Sequence, residues 1–225
     1  MEVKIFKTNY ANTKGEDNKL PNYEKAVKEF FSDIERVTMY NNRQFAIKKF
    51  LATTELNEDE LLEHLTKHQP CPQNQVILGA LYLERGKRHN CVQELKKASE
   101  SNNPHAQYLL GYCYGEGIGT SQDKETAVHL YQQAVNQRIP AAYYCLGFHY
   151  ANGSGVKIDK LKTFNLFRKA VERGHLRALF SLAYTHLYGI GTSCDMHKTI
   201  YWLKKSSENE ARDNVAYNYL TSIFA

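Results

Sequence analysis

Between residues 103 and 210 the apolar positions keep two rhythms. Within short stretches they fall three and four residues apart, the spacing of one face of an α-helix. Between stretches they recur every 36 residues. Ala106, Ala142 and Ala178 share that step, as do Leu110, Leu146 and Leu182, and the ring-bearing Tyr114, Tyr150 and His186. Four more columns follow it: Gly117, Gly153 and Gly189; Gly119, Gly155 and Gly191; Asp123, Asp159 and Asp195; and Ala134, Ala170 and Ser206. Columns of this kind mark a tandem repeat, in which each unit buries its apolar face against the next.

Each unit predicts a pair of helices. Ala106, Leu109, Leu110 and Tyr114 form one stripe, the segment from Gly115 to Thr120 breaks it, and Ala127, Leu130, Tyr131 and Ala134 form the second. Asp123 stands where the second helix needs an N-cap, and Asp159 and Asp195 repeat it, each carboxylate suited to orphan backbone N–H groups. Gly111, Gly147 and Ala183 occupy positions where a larger side chain would hold the paired helices apart. Gly117, Gly119, Gly153, Gly155, Gly189 and Gly191 sit in the breaks, where a positive φ is expected. The predicted fold is all-α: a right-handed α-solenoid of stacked helix-turn-helix repeats of period 36, with units at 103–138, 139–174 and 175–210.

The array of 74–225 extends beyond these units. Leu78 to Tyr82 and Val92 to Ala98 read as a shorter unit over 74–102; Gly79 precedes Gly111 by 32 residues and Ala98 precedes Ala134 by 36, so four residues are missing from the loop. Ala216 to Thr221 matches a further first helix, a half unit over 211–225 that reads either as an end cap or as the edge of a fragment of a longer protein. Residues 20–70 differ. Tyr23, Ala26, Val27, Phe30, Phe31, Ile34 and Val37 form a helical stripe after Pro21, and Phe45, Ile47, Phe50 and Leu51 suggest a second helix. Asn57 and Glu60 form a capping-box pattern before Leu61, Leu62 and Leu65. These helices are expected to dock on the first repeat and bury its face. Residues 1–19 are polar and expected to be flexible.

Composition narrows the classes of function. The chain has 225 residues, 42% apolar and 24% charged, enough for one domain or one modest array. No apolar run approaches the roughly 20 residues of a membrane-spanning helix, and Met1 to Lys7 lacks an apolar signal region. The 5 cysteines are an odd number over a long chain, which points to a reducing, cytoplasmic setting over a disulfide scaffold. The net charge of +5 permits acidic partners without requiring nucleic acid.

The pattern Ala-x-x-x-Leu-Gly-x-x-Tyr, a Gly-x-Gly loop, Asp, then a helix ending in Lys-Ala resembles the Sel-one-like repeat, a relative of the tetratricopeptide repeat. The second unit carries it most fully: Ala142, Leu146, Gly147, Tyr150, Gly153, Gly155, Val156, Asp159, Lys160, Phe164, Phe167, Lys169, Ala170 and Gly174. Ser206 and Ser207 in place of Ala-Ala, and His186 in the tyrosine column, depart from it. The resemblance implies a non-enzymatic scaffold or adaptor that binds a protein partner on a concave surface lined by first helices. Alternatives are a regulatory fragment of a larger signalling protein, for example one with a kinase domain, or a β-lactam hydrolase of the cysteine-rich subgroup. That subgroup bridges two cysteines within each repeat. Cys113 and Cys145 lie 32 residues apart in different columns and do not match it.

Two aromatic columns are candidates for the binding face: Tyr108, Tyr144 and Phe180, and Tyr112, Phe148 and Tyr184. Within a unit the pair is four residues apart, on one helical face. The first column reads chiefly as packing between helices, whereas the second is open between core and anchor. Arg177, His105 and Asn152 are placed to rim the groove. Lys157, Lys160, Lys162, Arg168, Lys169, Arg173 and Arg177 could meet an acidic partner, but read better as a solvated helix face. Cys145 with His149 and Cys194 with His197 fall in different units, so no metal site is expected. Gly115, Gly117 and Gly119 follow a helix and lack the Gly-Lys-Ser/Thr ending of a phosphate loop. The Asn152-Gly153-Ser154 sequon matters only in a secreted chain. No cofactor, no nucleic-acid partner and no membrane insertion are expected.

Overall fold

The two rhythms resolve into helix hairpins. The computed structural model describes residues 22–36, 39–67 and 71–209, and of residues 36, 39–43 and 209 the backbone alone. The flexible segment expected over 1–19 and the half unit over 211–225 lie outside the described residues, as do Pro21 and Pro70. Eleven helices occur among the described residues. α1 (Tyr23–Arg36), α2 (Met39–Thr54) and α3 (Glu58–Lys67) come first. Four hairpins follow: α4 (Pro72–Glu84) with α5 (Arg88–Glu100), α6 (Pro104–Glu116) with α7 (Lys124–Asn136), α8 (Pro140–Asn152) with α9 (Lys160–Glu172), and α10 (Arg177–Tyr188) with α11 (Met196–Asn209). Each packs on its partner and then on the next hairpin, so the array is an α-solenoid.

The first helices α4, α6 and α8 open on a proline, whose fixed φ suits the first turn and whose missing N–H would be unpaired there anyway. The first helices α6, α8 and α10 end by one device. Gly117 adopts φ 69°, the following Ile118 N–H returns to the Cys113 carbonyl at 2.8 Å, and the Asp123 N–H closes the loop on the Tyr114 carbonyl at 2.8 Å. Asp159 closes on Tyr150 at 3.1 Å and Asp195 on His186 at 3.0 Å. That bond uses the backbone of the ring column, which explains why a histidine can replace tyrosine in the third unit. The Asp side chains then cap the second helices, accepting from the N–H groups of Thr126, Lys162 and Lys198 at 3.0, 2.8 and 3.0 Å.

Glycines set how closely the hairpins stack. A Cβ on Gly147 would stand 2.6 Å from the Phe167 ring, and one on Gly111 would stand 3.0 Å from Tyr131, so the first helix rests on an aromatic of its own second helix. The second loop glycine acts between units. A Cβ on Gly119, Gly155 or Gly191 would fall 2.2, 2.3 or 2.0 Å from the carbonyl of Arg88, Lys124 or Lys160. Each of those is the opening residue of the preceding unit's second helix, so every loop backs onto its predecessor. In the short first unit the loop is reduced to 85–87, against 117–123 in the next.

The N-terminal helices reach further than one unit. Among them the Asn57 capping box is formed: its side-chain oxygen accepts from the Glu60 N–H at 2.9 Å and its own N–H donates to the Glu60 carboxylate at 2.8 Å. α3 packs on α4, where Arg85 meets Asp59 at 2.8 Å. α1 packs on α2 through Phe30, Phe50 and Tyr23, and Lys49 of α2 meets Asp33 at 3.1 Å. α1 also crosses the first helices of three successive units. The Tyr23 hydroxyl donates to Asn74 of α4 at 2.7 Å, Phe31 and Glu35 meet His105 of α6, and the helix also packs against α8. With 14 residues, α1 is about 21 Å long, enough to span three helices spaced by about 10 Å.

Candidate protein-binding surface

The surface is set by the register of the first helices. On α10, Arg177, Ser181, Tyr184 and Tyr188 are spaced i, i+4, i+7 and i+11, one continuous stripe. The same stripe is Ala141, Cys145, Phe148 and Asn152 on α8, and His105, Leu109, Tyr112 and Glu116 on α6. Its N-terminal part is closed on α6 and α8, since His105 and Ala141 are buried and α1 lies against both helices. At His105 the contact is specific. Its ring lies 4.4 Å from that of Phe31, centre to centre, and its Nε2 donates to the Glu35 carboxylate at 2.6 Å.

Beyond α1 the stripe opens. Phe148 is 40% exposed, Tyr184 41% and Tyr188 53%. Their backs are supported: Phe148 makes an edge contact with Phe167 at 5.3 Å and with Tyr144 at 4.9 Å, and Tyr184 lies 4.5 Å from Tyr188. Tyr112 is half-buried. The other aromatic column lies deeper. Tyr108 is 1% exposed and Tyr144 and Phe180 are half-buried, so this column lies between the first helices and their neighbours. Phe180 and Tyr184 also line a cleft between α10 and α11 with Ala183, Leu187, Thr199 and Leu203. Tyr188 was not singled out from the sequence; the four-residue stripe through Tyr184 is the signal that marks it.

Tyr144 is also stacked, at 4.5 Å and 30°, on His175, which is fully buried in the turn before α10. Among the described residues neither ring nitrogen of His175 finds a hydrogen-bond partner. Burial, helped by the neighbouring Arg177 charge, pushes its pKa down to about 3, so the ring is neutral. Desolvation pushes the Cys145 thiol up to about 12, beside the Tyr131 hydroxyl. Cys113, Cys145 and Cys194 are thiols. His149 donates from Nδ1 to the Ser154 carbonyl at 2.7 Å, a bond that steadies the Gly153 loop. Among the described residues no group of three or more His, Cys, Asp and Glu is placed to hold a metal ion, and no helix is long and apolar enough to cross a membrane.

The basic stretch is dispersed. Lys162 lies over the Tyr150 ring and donates to its hydroxyl at 2.8 Å, Arg173 lies 5.3 Å from the centre of the Tyr143 ring, and Arg168 pairs with Glu172. Lys157, Lys160 and Lys169 are exposed.

Stacked helix hairpins and loops seated on the preceding unit define the class of molecule, an α-solenoid. Within that class three of the units are Sel1 repeats: the Sel1 repeat model matches residues 104–138, 140–175 and 176–210. The fold is similar to that of a Sel1 repeat protein from Oxalobacter formigenes, at 27% identity and TM-score 0.65 over 80% of this chain and 55% of that one. It is also similar in fold to c5321, a protective antigen of uropathogenic Escherichia coli with an SLR fold, at 19% identity and TM-score 0.66 over 87% of this chain and 47% of that one. The chain thus spans about half the length of these two structures. No curated protein matches it.

Proposed function

We propose that this protein is a scaffold or adaptor that holds a partner protein on the surface of its first helices, with Tyr112, Phe148 and Tyr184 as anchors and Arg177 at the rim. Tyr108, Tyr144 and Phe180 act in this reading as the packed layer that fixes the anchors. The observation that carries it is the exposure of Phe148 and Tyr184 at equivalent positions of successive repeats, Phe148 backed by Phe167 and Tyr144 and Tyr184 beside Tyr188. Large apolar side chains exposed in register on a rigid array mark an interaction surface. Stacking preorganises them, so little freedom is lost on binding. Sel1 arrays commonly serve as interaction scaffolds, and the reading assigns no catalytic chemistry to the surface. The odd number of cysteines supports a reducing compartment, the cytoplasm.

The test is affinity capture from the source cells with the intact chain and with a variant in which Tyr112, Phe148 and Tyr184 are all replaced by Ser. The reading expects partners retained by the intact chain to be lost from the variant while its circular dichroism is unchanged. Equal retention by a folded variant would contradict it. A variant that loses helicity would show these rings to be part of the core.

A further inference from the structure

From the cleft between α10 and α11 and the repeat register, we infer that residues 214–225 of this chain dock there as one more first helix, with Tyr219 placed over Leu203. The seat is defined by what fills it earlier in the array. Tyr131, Phe167 and Leu203 form one column at the 36-residue step, each on a second helix. Tyr131 receives Cys145 beside its hydroxyl and the His149 ring at 5.4 Å, centre to centre, both from the first helix of the next unit. His149 also comes within 3.9 Å of the place a Cβ on Gly115 would take, on the first helix of the same hairpin as Tyr131. At the following joint α10 packs on α9, and Ser181 and Thr185, one step on from Cys145 and His149, are buried. At the third joint Leu203, with Leu187 in the column of Gly115, lines the cleft.

Register names the occupant. Ala216, Leu220 and Phe224 continue the alanine, leucine and ring columns at one common step of 38 residues from Ala178, Leu182 and His186. The same step carries the column of Asn103, the N-cap of α6, from His175 to Asp213, a residue type suited to capping. Residues 214–225 match the 12 residues of α10 in length. Size fits in this register too. The step takes Cys145 and Ser181 to Tyr219, and His149 and Thr185 to Ile223. A ring on the second helix is in register with a small residue at the first two joints, Tyr131 with Cys145 and Phe167 with Ser181. At the third the order is reversed, Leu203 with Tyr219, so the pair keeps its volume. Docking here leaves the anchors open, since Phe148 is 40% exposed with α10 packed on α9. The anchor column does not continue onto the docked helix, because Ser222 takes the place of Tyr112, Phe148 and Tyr184.

The experiment is a double-mutant cycle on the full chain: Tyr219→Ser, Leu203→Phe and the two together, read by circular-dichroism melts and sedimentation velocity. The pair rebuilds the arrangement of Phe167 and Ser181. Each single change should lower the melting temperature by about 4 °C or more, and the pair should recover about half of the summed loss or more. Losses that simply add, or a Tyr219→Ser chain that melts like the unmodified one, would overturn the proposal. Recovery confined to a dimer would put the segment of a second copy in the seat and overturn it equally. If Leu203→Phe does not fold, amide exchange in Tyr219→Ser decides: α10 and α11 should exchange faster with α4 to α7 unchanged, and unaltered exchange in α11 would overturn it. Tyr112, Phe148 and Tyr184 are intact in all these variants, so failure here leaves the scaffold reading standing.

Discussion

At the scale of single residues, glycines divide by what a methyl group would meet. Gly147→Ala drives a Cβ into the Phe167 ring and should destabilise by about 1–3 kcal/mol. Gly155→Ala adds a positive φ to a clash with the Lys124 carbonyl and should lose about 3 kcal/mol or more. Gly174, at φ 85° with nothing within 4 Å, should lose only the backbone term of about 1 kcal/mol on the same change. Thermal melts of the three variants check the order; equal losses would contradict it. His175 makes a pH prediction. Its folded pKa of about 3 lies below its ordinary 6.5, so on acidification the unfolded chain takes up the proton first. The contribution is complete above pH 6.5 and is lost as pH falls toward 3, by up to about 1.4 kcal/mol per unit. Denaturant midpoints across that range should flatten in His175→Phe, and an unchanged slope would contradict the assignment. Spacing named the glycines because a column of glycine has few other meanings. It did not single out His175, although its column partners Asn103 and Ile139 are buried as well.

Elements were legible wherever the signal was local. Asp caps, the capping box at Asn57 and the four-residue shortening of the first loop all follow from side chains acting within one or two turns of themselves. The path of α1 was not. Its stripe from Tyr23 to Ile34 shows how much must be buried, but a stripe does not name what buries it. Phe30 and Phe31 are the clue in hindsight: adjacent rings point to two sides of a helix, one toward α2 and one toward His105. Because repeat arrays open locally, weakening that second side should loosen α1 without unfolding the distant hairpins. Phe31→Ala with Glu35→Gln should speed amide exchange in α1 and leave α8 to α11 unchanged. Uniform acceleration along the chain would show one cooperative unit instead.

For the whole molecule, the account rests on a division of faces. Second helices and loops hold the array together, with cations such as Lys162 and Arg173 spent on rings of their own units. First helices offer what remains: a seat taken by α1 over the early units and an open run of Phe148, Tyr184 and Tyr188 over the later ones. The period alone foretold the stacking and the aromatic columns. It could not foretell that an N-terminal helix would cover part of the same surface and so set where a partner can lie. The most direct measurement is a hydrogen–deuterium exchange footprint of the intact chain with a captured partner bound. Protection should concentrate on α8 and α10 around Phe148 and Tyr184. Protection confined to α9 and α11, with the first helices exchanging as in the unbound chain, would contradict the account.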